Sequence, residues 1–193
     1  MTFKAYDIFS SLVPGFLMLL GLQYFFEIPY DKDFVVGYTA VAFLLGYVIN
    51  TIGSWLEDFY FFTWGGKPSN NLLDGQKTQK IKLYNHIQVN QHLSQKTNSQ
   101  NPSKDELFSI AMRNANGQKD TRIEDFNAIY AFSRTLLTTA LIGGILVLIK
   151  NYNDWKFYAV VVPVIFVLWL RCKQRGYYYA KEVINVYCKM NNL

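Results

Sequence analysis

Residues 34–56 contain no charged side chain, and the run reads FVVGYTAVAFLLGYVINTIGSWL. A helix needs about 20 apolar residues to cross the ~30 Å hydrocarbon core of a bilayer, so this run alone is long enough. It is patterned as well as apolar. Ala42, Gly46, Asn50 and Gly53 follow one another at steps of four, four and three, which puts them on one helical face. Small residues on such a face let a second backbone approach closely, and an amide there can hydrogen-bond across helices. Glu57 and Asp58 end the run, and Phe59, Tyr60, Phe61, Phe62 and Trp64 after them suit a water–lipid boundary. The chain is 51% hydrophobic, and that content is gathered into blocks rather than spread at an amphipathic period, which argues against a soluble globule.

Three further blocks complete a set of four spans. The first covers about residues 8–26 and has Pro14 in its early turns, where a missing N–H costs little. Asp7 or Ser10 is placed to cap it. The start, MTFKAYDIFSSLVPG, has one lysine, an early Asp7 and no small-x-small site after the apolar run, so this block is expected to be retained rather than cleaved. Residues 27–33 form a short acidic turn containing Pro29. The third span, about 132–150, lies within a helix expected over 122–149, opened by the capping-box spacing of Thr121 and Glu124. Its charge-free part, 135–149, is short, and Arg134 is expected to extend it by snorkelling to the interface. Ala140 and Gly144 form another small-residue pair. The fourth span covers about 155–171 with Pro163 in its middle, and a re-entrant hairpin competes for these last two segments.

The predicted class is therefore an all-α integral membrane protein with four transmembrane helices and a helical insertion between spans 2 and 3. Residues 1–64 form one transmembrane hairpin, 65–120 the insertion, 121–172 a second hairpin and 173–193 a basic tail helix. Within the insertion, GGKPSNN reads as a loop, 79–93 as a helix carrying Ile81, Tyr84 and Ile87, and SQKTNSQNPS as a second loop. Ser103 and Glu106 have capping-box spacing before a helix with Leu107, Ile110 and Ala111 on one face and Gly117 at its end. In the tail, Val183, Val186, Tyr187 and Met190 give an apolar stripe that suits a helix lying near the membrane.

Charge sets the orientation. The tail carries Arg171, Lys173, Arg175, Lys181 and Lys189 against Glu182, whereas the 27–33 turn carries Lys32 against Glu27, Asp31 and Asp33. Lysine and arginine accumulate on cytoplasmic flanks. The expectation is a multi-pass membrane protein with both termini and the insertion in the cytoplasm.

Catalytic chemistry is not indicated. Cys172 and Cys188 belong to no metal-ligand or disulfide pattern, and His86 and His92 are six apart, too far for a helical metal pair. Gly65-Gly66-Lys67 lacks the rest of a phosphate-loop motif, and the adjacent Glu57 and Asp58 point apart on a helix. No enzyme, metal or cofactor is expected. Binding is better supported. Lys77, Lys80, Lys82, Arg113, Lys119 and Arg122 are interleaved with Tyr84 and His86, and cations beside aromatic rings take nucleotides or single strands. Lys80, Lys82, Tyr84, His86, Arg113 and Arg122 are the candidate ligand-binding residues. Cations beside a membrane also serve orientation and anionic lipids, and that alternative stays open. Gly46, Asn50, Gly53 and Thr138 are the candidates for helix packing or a pore lining.

Tyr6-Asp7-x-Phe9-Ser10-x-Leu12-Val13-Pro14-Gly15 at the first span, with Gly46-Tyr47 and Gly53-Ser54-Trp55-Leu56-Glu57 at the second, resemble small four-span membrane proteins of bacterial anti-phage defence, such as the membrane subunits of the Hailong and Kiwa systems. The resemblance covers about the first third of the chain. It implies an oligomeric membrane effector, a tetramer by expectation. Such an effector forms an ion path that depolarises the cell under control of a nucleotide, a single-stranded oligonucleotide or a soluble sensor protein. The competing expectation is a membrane anchor that recruits a soluble partner through the insertion.

Overall fold

A computed structural model describes the backbone of residues 5–75, 80–97, 99, 101–116, 118 and 121–193, with side chains from Ser10 onward. Lys77, Gln79, Gly117, Lys119 and the side chain of Asp7 lie outside the described residues. In chain order the helices are α1 (Ala5–Phe26), a 3-10 turn (Lys32–Phe34), α2 (Val35–Trp55), α3 (Glu57–Trp64), α4 (Pro68–Leu73), α5 (His86–Gln95), α6 (Lys104–Ala115), α7 (Ile123–Lys150) and α8 (Trp155–Met190). No strand occurs among the described residues. Three helical stretches are long and apolar enough to cross a membrane: Lys32–Trp55, Ile123–Lys150 and Trp155–Met190. The described apolar part of α1, Ser10–Phe26, is shorter. With 28 and 36 residues, α7 and α8 are each longer than the ~30 Å core requires.

The chain divides into two compact units, Met1–Glu57 with Ala128–Cys172, and Asp58–Asn127 with Lys173–Leu193. In the first, α1 and α2 cross at contact distance through glycine. A Cβ on Gly15 would overlap the Ala42 carbonyl, and one on Gly46 would overlap the Ser11 carbonyl. Only hydrogen at both positions permits this crossing. At its far end α1 stops in the left-handed region at Glu27 (φ 58°), where the Ile28 N–H reaches back to the Gln23 carbonyl at 3.0 Å. Lys150 braces this end by pairing with Glu27 at 3.0 Å and donating to the Tyr24 carbonyl. The middle of α7 is the buried element of this unit: Ser133, Thr135, Leu137, Thr138 and Thr139 are all enclosed. Gly144 of α7 faces Val161 and Ile165 of α8. The outward faces of α2 and α8 are apolar, with Val36, Leu44, Tyr47, Val160, Phe166 and Val167 exposed.

The second unit has its own core. Leu72 and Leu73 of α4, Val89 and Leu93 of α5, and Leu107 and Ala111 of α6 pack with Tyr177, Ala180, Val183, Ile184 and Tyr187 of α8. The tail stripe is therefore the spine of a folded unit: Val183 and Tyr187 are fully buried, and only Met190 is mostly free. Nor is the tail a separate helix. It is continuous with the fourth apolar segment, because Arg171 and Lys173 mark a change of surroundings without interrupting the helix.

The GGKPSNN stretch, expected to be a loop, is one only as far as Lys67: Pro68 opens α4 (Pro68–Leu73), at a helix start where its missing N–H costs little. Gly65 and Gly66, at φ 80° and 115°, end α3, with the Gly66 N–H bonded to the Phe61 carbonyl at 2.9 Å. Ser103 caps α6 by accepting from the Glu106 N–H at 3.2 Å, while the Glu106 carboxylate accepts from Thr97 at 2.8 Å. The helix expected from 79 begins only at His86. Before it, Lys80, Lys82 and Tyr84 are exposed while Ile81 is half-buried and Leu83 buried, a period of two that belongs to extended chain.

Asn71 anchors the entry to the second unit. Its side-chain amide is buried and donates to the Tyr177 hydroxyl at 2.7 Å and to the Gly65 and Gly66 carbonyls at 3.3 and 3.4 Å. Asn71→Ala leaves these acceptors without their donor, at an expected cost of about 1–3 kcal/mol. Hydrogen exchange on the full chain should show faster exchange across α4; unchanged protection there would refute this role.

Candidate functional site: a buried polar cluster and two clefts

The first unit holds a charged pair. Arg134 lies at a depth where its side chain is only 11% exposed, and its Nη1 donates to Glu57 Oε2 at 2.9 Å. The Tyr130 hydroxyl donates to the other oxygen, Glu57 Oε1. Arg134 also lies over the Tyr130 ring, 5.7 Å from its centroid. The guanidinium expected to snorkel is held by the carboxylate of Glu57, the first residue of α3, and the pairing satisfies both charges. Its buried Nε has no hydrogen-bond partner among the described residues.

From this pair a row of polar groups runs along α7. Thr135 Oγ1 donates to Asn50 Oδ1 at 3.0 Å, linking α7 to α2. Thr138 lies against Gly53, where an added Cβ would stand 2.8 Å from Oγ1. Thr138 and Thr139 donate to the Arg134 and Thr135 carbonyls of their own helix at 2.9 Å, and the single Thr135 proton is shared between Asn50 Oδ1 and the Ala131 carbonyl, the latter also at 2.9 Å. All four candidate packing residues lie on contacts within this unit, Gly46 toward α1 and Asn50, Gly53 and Thr138 between α2 and α7. Ionisable and amide side chains inside an apolar bundle are costly, and they mark function by default.

The candidate ligand residues divide between two clefts of the second unit. Lys82, Tyr84 and His86 line one of about 240 Å³ with Asn71, Leu72, Gly75, Ile81 and Leu83. His86 Nδ1 sits 3.2 Å from the Leu83 carbonyl, which can only accept, so Nδ1 carries the proton. Arg122 lines a wider cleft of about 710 Å³ with Gln118, Thr121, Glu182 and Lys189. It pairs with Glu182 at 3.5 Å and stacks on Phe126. Lys80 and Arg113 are exposed and line neither cleft. The structure does not bring the six residues together.

His92 has a different position, its Nδ1 lying 2.8 Å from the Tyr187 hydroxyl. Cys188 is buried, which pushes its thiol up from the ordinary value, with Asn85 opposing. Outside the clefts, the Lys67 ammonium at 2.7 Å holds the Asp105 carboxyl below its usual range. No group of three or more His, Cys, Asp or Glu side chains that could hold a metal occurs among the described residues.

Compared with known proteins, the chain matches no family model, no curated protein and no solved structure.

Proposed function

We propose that this chain is an oligomeric effector of the bacterial inner membrane. In this reading it has four spans and both termini in the cytoplasm, and it forms an ion path that depolarises the cell in anti-phage defence. The second unit is its cytoplasmic input module, set by a nucleotide or oligonucleotide signal or by a partner protein. One observation carries the reading: the polar row of buried Thr135, Thr138 and Thr139 with half-buried Asn50, ending at Glu57 and Arg134. Ionisable and amide side chains within an apolar bundle are rare and costly, which favours a functional role over an inert anchor. The threonines of the row are buried within one protomer, so conduction along it requires α2 and α7 to part. A path wide enough for hydrated ions then needs several copies about an axis, and the tetramer is the proposed state. On the input side, the cleft beside Arg122 and Lys189 has the size of a small-ligand site.

A second reading is a membrane anchor that recruits a soluble partner. It is favoured by the apolar outward faces of α2 and α8, which offer no polar stripe to a pore between copies. Ion flux from liposomes containing the purified chain separates the two. The probes are ATP and a single-stranded oligodeoxynucleotide. Flux that changes with a probe, and that Arg122→Glu or the pair Lys80→Glu with Lys82→Glu uncouples from it, supports the effector. No flux from a clean oligomer under any condition overturns the channel and leaves the anchor.

A further inference from the structure

Residues 75–104 contain five lysines, Lys77, Lys80, Lys82, Lys96 and Lys104, and no aspartate or glutamate. Two of these cations are already engaged. Lys104 pairs with Asp74 at 3.3 Å, and Lys96 donates to Asn191 at 2.8 Å. Lys80 and Lys82 are exposed and meet no carboxylate among the described residues. Between and after them the chain exposes apolar surface that a folded unit ordinarily hides: Tyr84 is 89% exposed and Ile87 62%. Both residues belong to the period-two strip and the first turn of α5, where Ile81, Leu83 and Val89 already supply the inward contacts. Tyr84 and Ile87 are thus left over from the core. Beside them opens the cleft of about 240 Å³, with apolar walls from Leu72, Ile81 and Leu83.

We propose that the face made by Lys80, Lys82, Tyr84 and Ile87 docks an acidic segment of a partner protein, which places one large apolar side chain in the adjoining cleft. The proposal rests on the reading of the second unit as an input module and assigns that input its chemistry. Three features select this occupant. The cleft is smaller than small-molecule sites, which span about 300–1,000 Å³, so it suits one side chain better than a nucleotide. Ile87 gives no stacking surface to a base but adds apolar area to a protein contact. Two exposed lysines that pair with no carboxylate among the described residues give the charge complementarity that steers an acidic chain.

The test uses the full chain in phosphatidylcholine nanodiscs and the fluorescence anisotropy of labelled synthetic peptides. The probe peptide is a tryptophan flanked by glutamates; companions replace either the glutamates with glutamine or the tryptophan with alanine. Binding of the first peptide alone is expected. Its affinity should fall at least about tenfold, near 1.4 kcal/mol, in Lys80→Glu with Lys82→Glu and again in Tyr84→Ala, with no change in Lys156→Glu. Tyr84 is almost fully exposed, so its replacement leaves the fold intact. Failure of the acidic peptide to bind, or equal binding by the lysine variant, overturns the proposal. Displacement of the peptide by an oligodeoxythymidylate assigns the face to nucleic acid, and displacement by phosphatidylserine vesicles assigns it to lipid; either result also overturns it. Flux is read on the same preparations. A chain that conducts but binds no peptide loses only the docking surface, and one that binds the peptide but never conducts loses only the channel.

Discussion

Gly46→Val is expected to unfold the α1–α2 hairpin, and even Gly46→Ala should destabilise it clearly. The added Cβ would meet the backbone carbonyl of Ser11, an atom fixed within α1 that cannot rotate aside. Ordinary overpacking of a core costs about 1–3 kcal/mol because side chains can still adjust. Here the helices themselves must separate, and Gly15 against the Ala42 carbonyl loses its contact in the same movement. Gly143→Ala is the matched control. An added Cβ there meets nothing within 4 Å, and alanine is the better helix former by about 0.5–1 kcal/mol, so that variant should be neutral or slightly stabilised. Fluorescence-detected size-exclusion chromatography after graded heating compares the two in detergent. Indistinguishable melting of Gly46→Val and Gly143→Ala would refute the close crossing.

The face that carries the crossing was readable in advance, since the four-residue step from Ala42 to Gly46 places small residues together; that α1 meets it through Gly15 and Ser11 was not. The long apolar helices were readable for the same reason: length and absence of charge are local properties. What the chain does beyond a charge was not. Arg171 and Lys173 mark where apolar surroundings end, yet α8 runs on, because lysine and arginine are good helix formers. The stripe on the tail helix was visible, but periodicity names a face and never its partner. A membrane surface and the α4–α6 helices satisfy the same pattern, and the buried Tyr187 and Val183 show that the helices took it.

The polar groups divide in the same way. Ile81, Tyr84 and Ile87 recur at a helical step over 79–93, but the helix starts only at His86 and residues 80–84 alternate between exposed and covered. Arg113 and Arg122 join Lys80, Lys82, Tyr84 and His86 by composition alone, and the fold sends both arginines elsewhere. Glu57 and Arg134 each looked like the edge of a span. Their pairing is separated by 77 positions, so no local signal contains it; only the cost of leaving either charge alone in an apolar bundle hints that a partner exists.

That pair supports the second large prediction. Glu57→Ala is expected to be more damaging than Arg134→Ala, although both remove the same ion pair. The asymmetry follows from exposure. Glu57 is 27% exposed, so after Arg134→Ala its carboxylate recovers part of its hydration. Arg134 is 11% exposed, so after Glu57→Ala its guanidinium is left buried with Nη1 as well as Nε unmatched, and Tyr130 loses an acceptor. Removing one partner of a buried pair costs about 3–5 kcal/mol; Glu57→Ala belongs near the top of that range and Arg134→Ala near or below the bottom. Replacing both, Glu57→Leu with Arg134→Met, should recover much of the loss, because two apolar side chains leave no stranded charge. Melting of the four proteins in one detergent ranks them, and adding Glu57→Ala with Arg134→Ala closes the cycle that gives the coupling. Flux separates a latch from a mere strut. If the pair holds the α2–α3 junction against α7 at the end of the polar row, the apolar double variant should be stable and still leak without any ligand, whereas a double variant as tight as the native chain would remove the pair from gating.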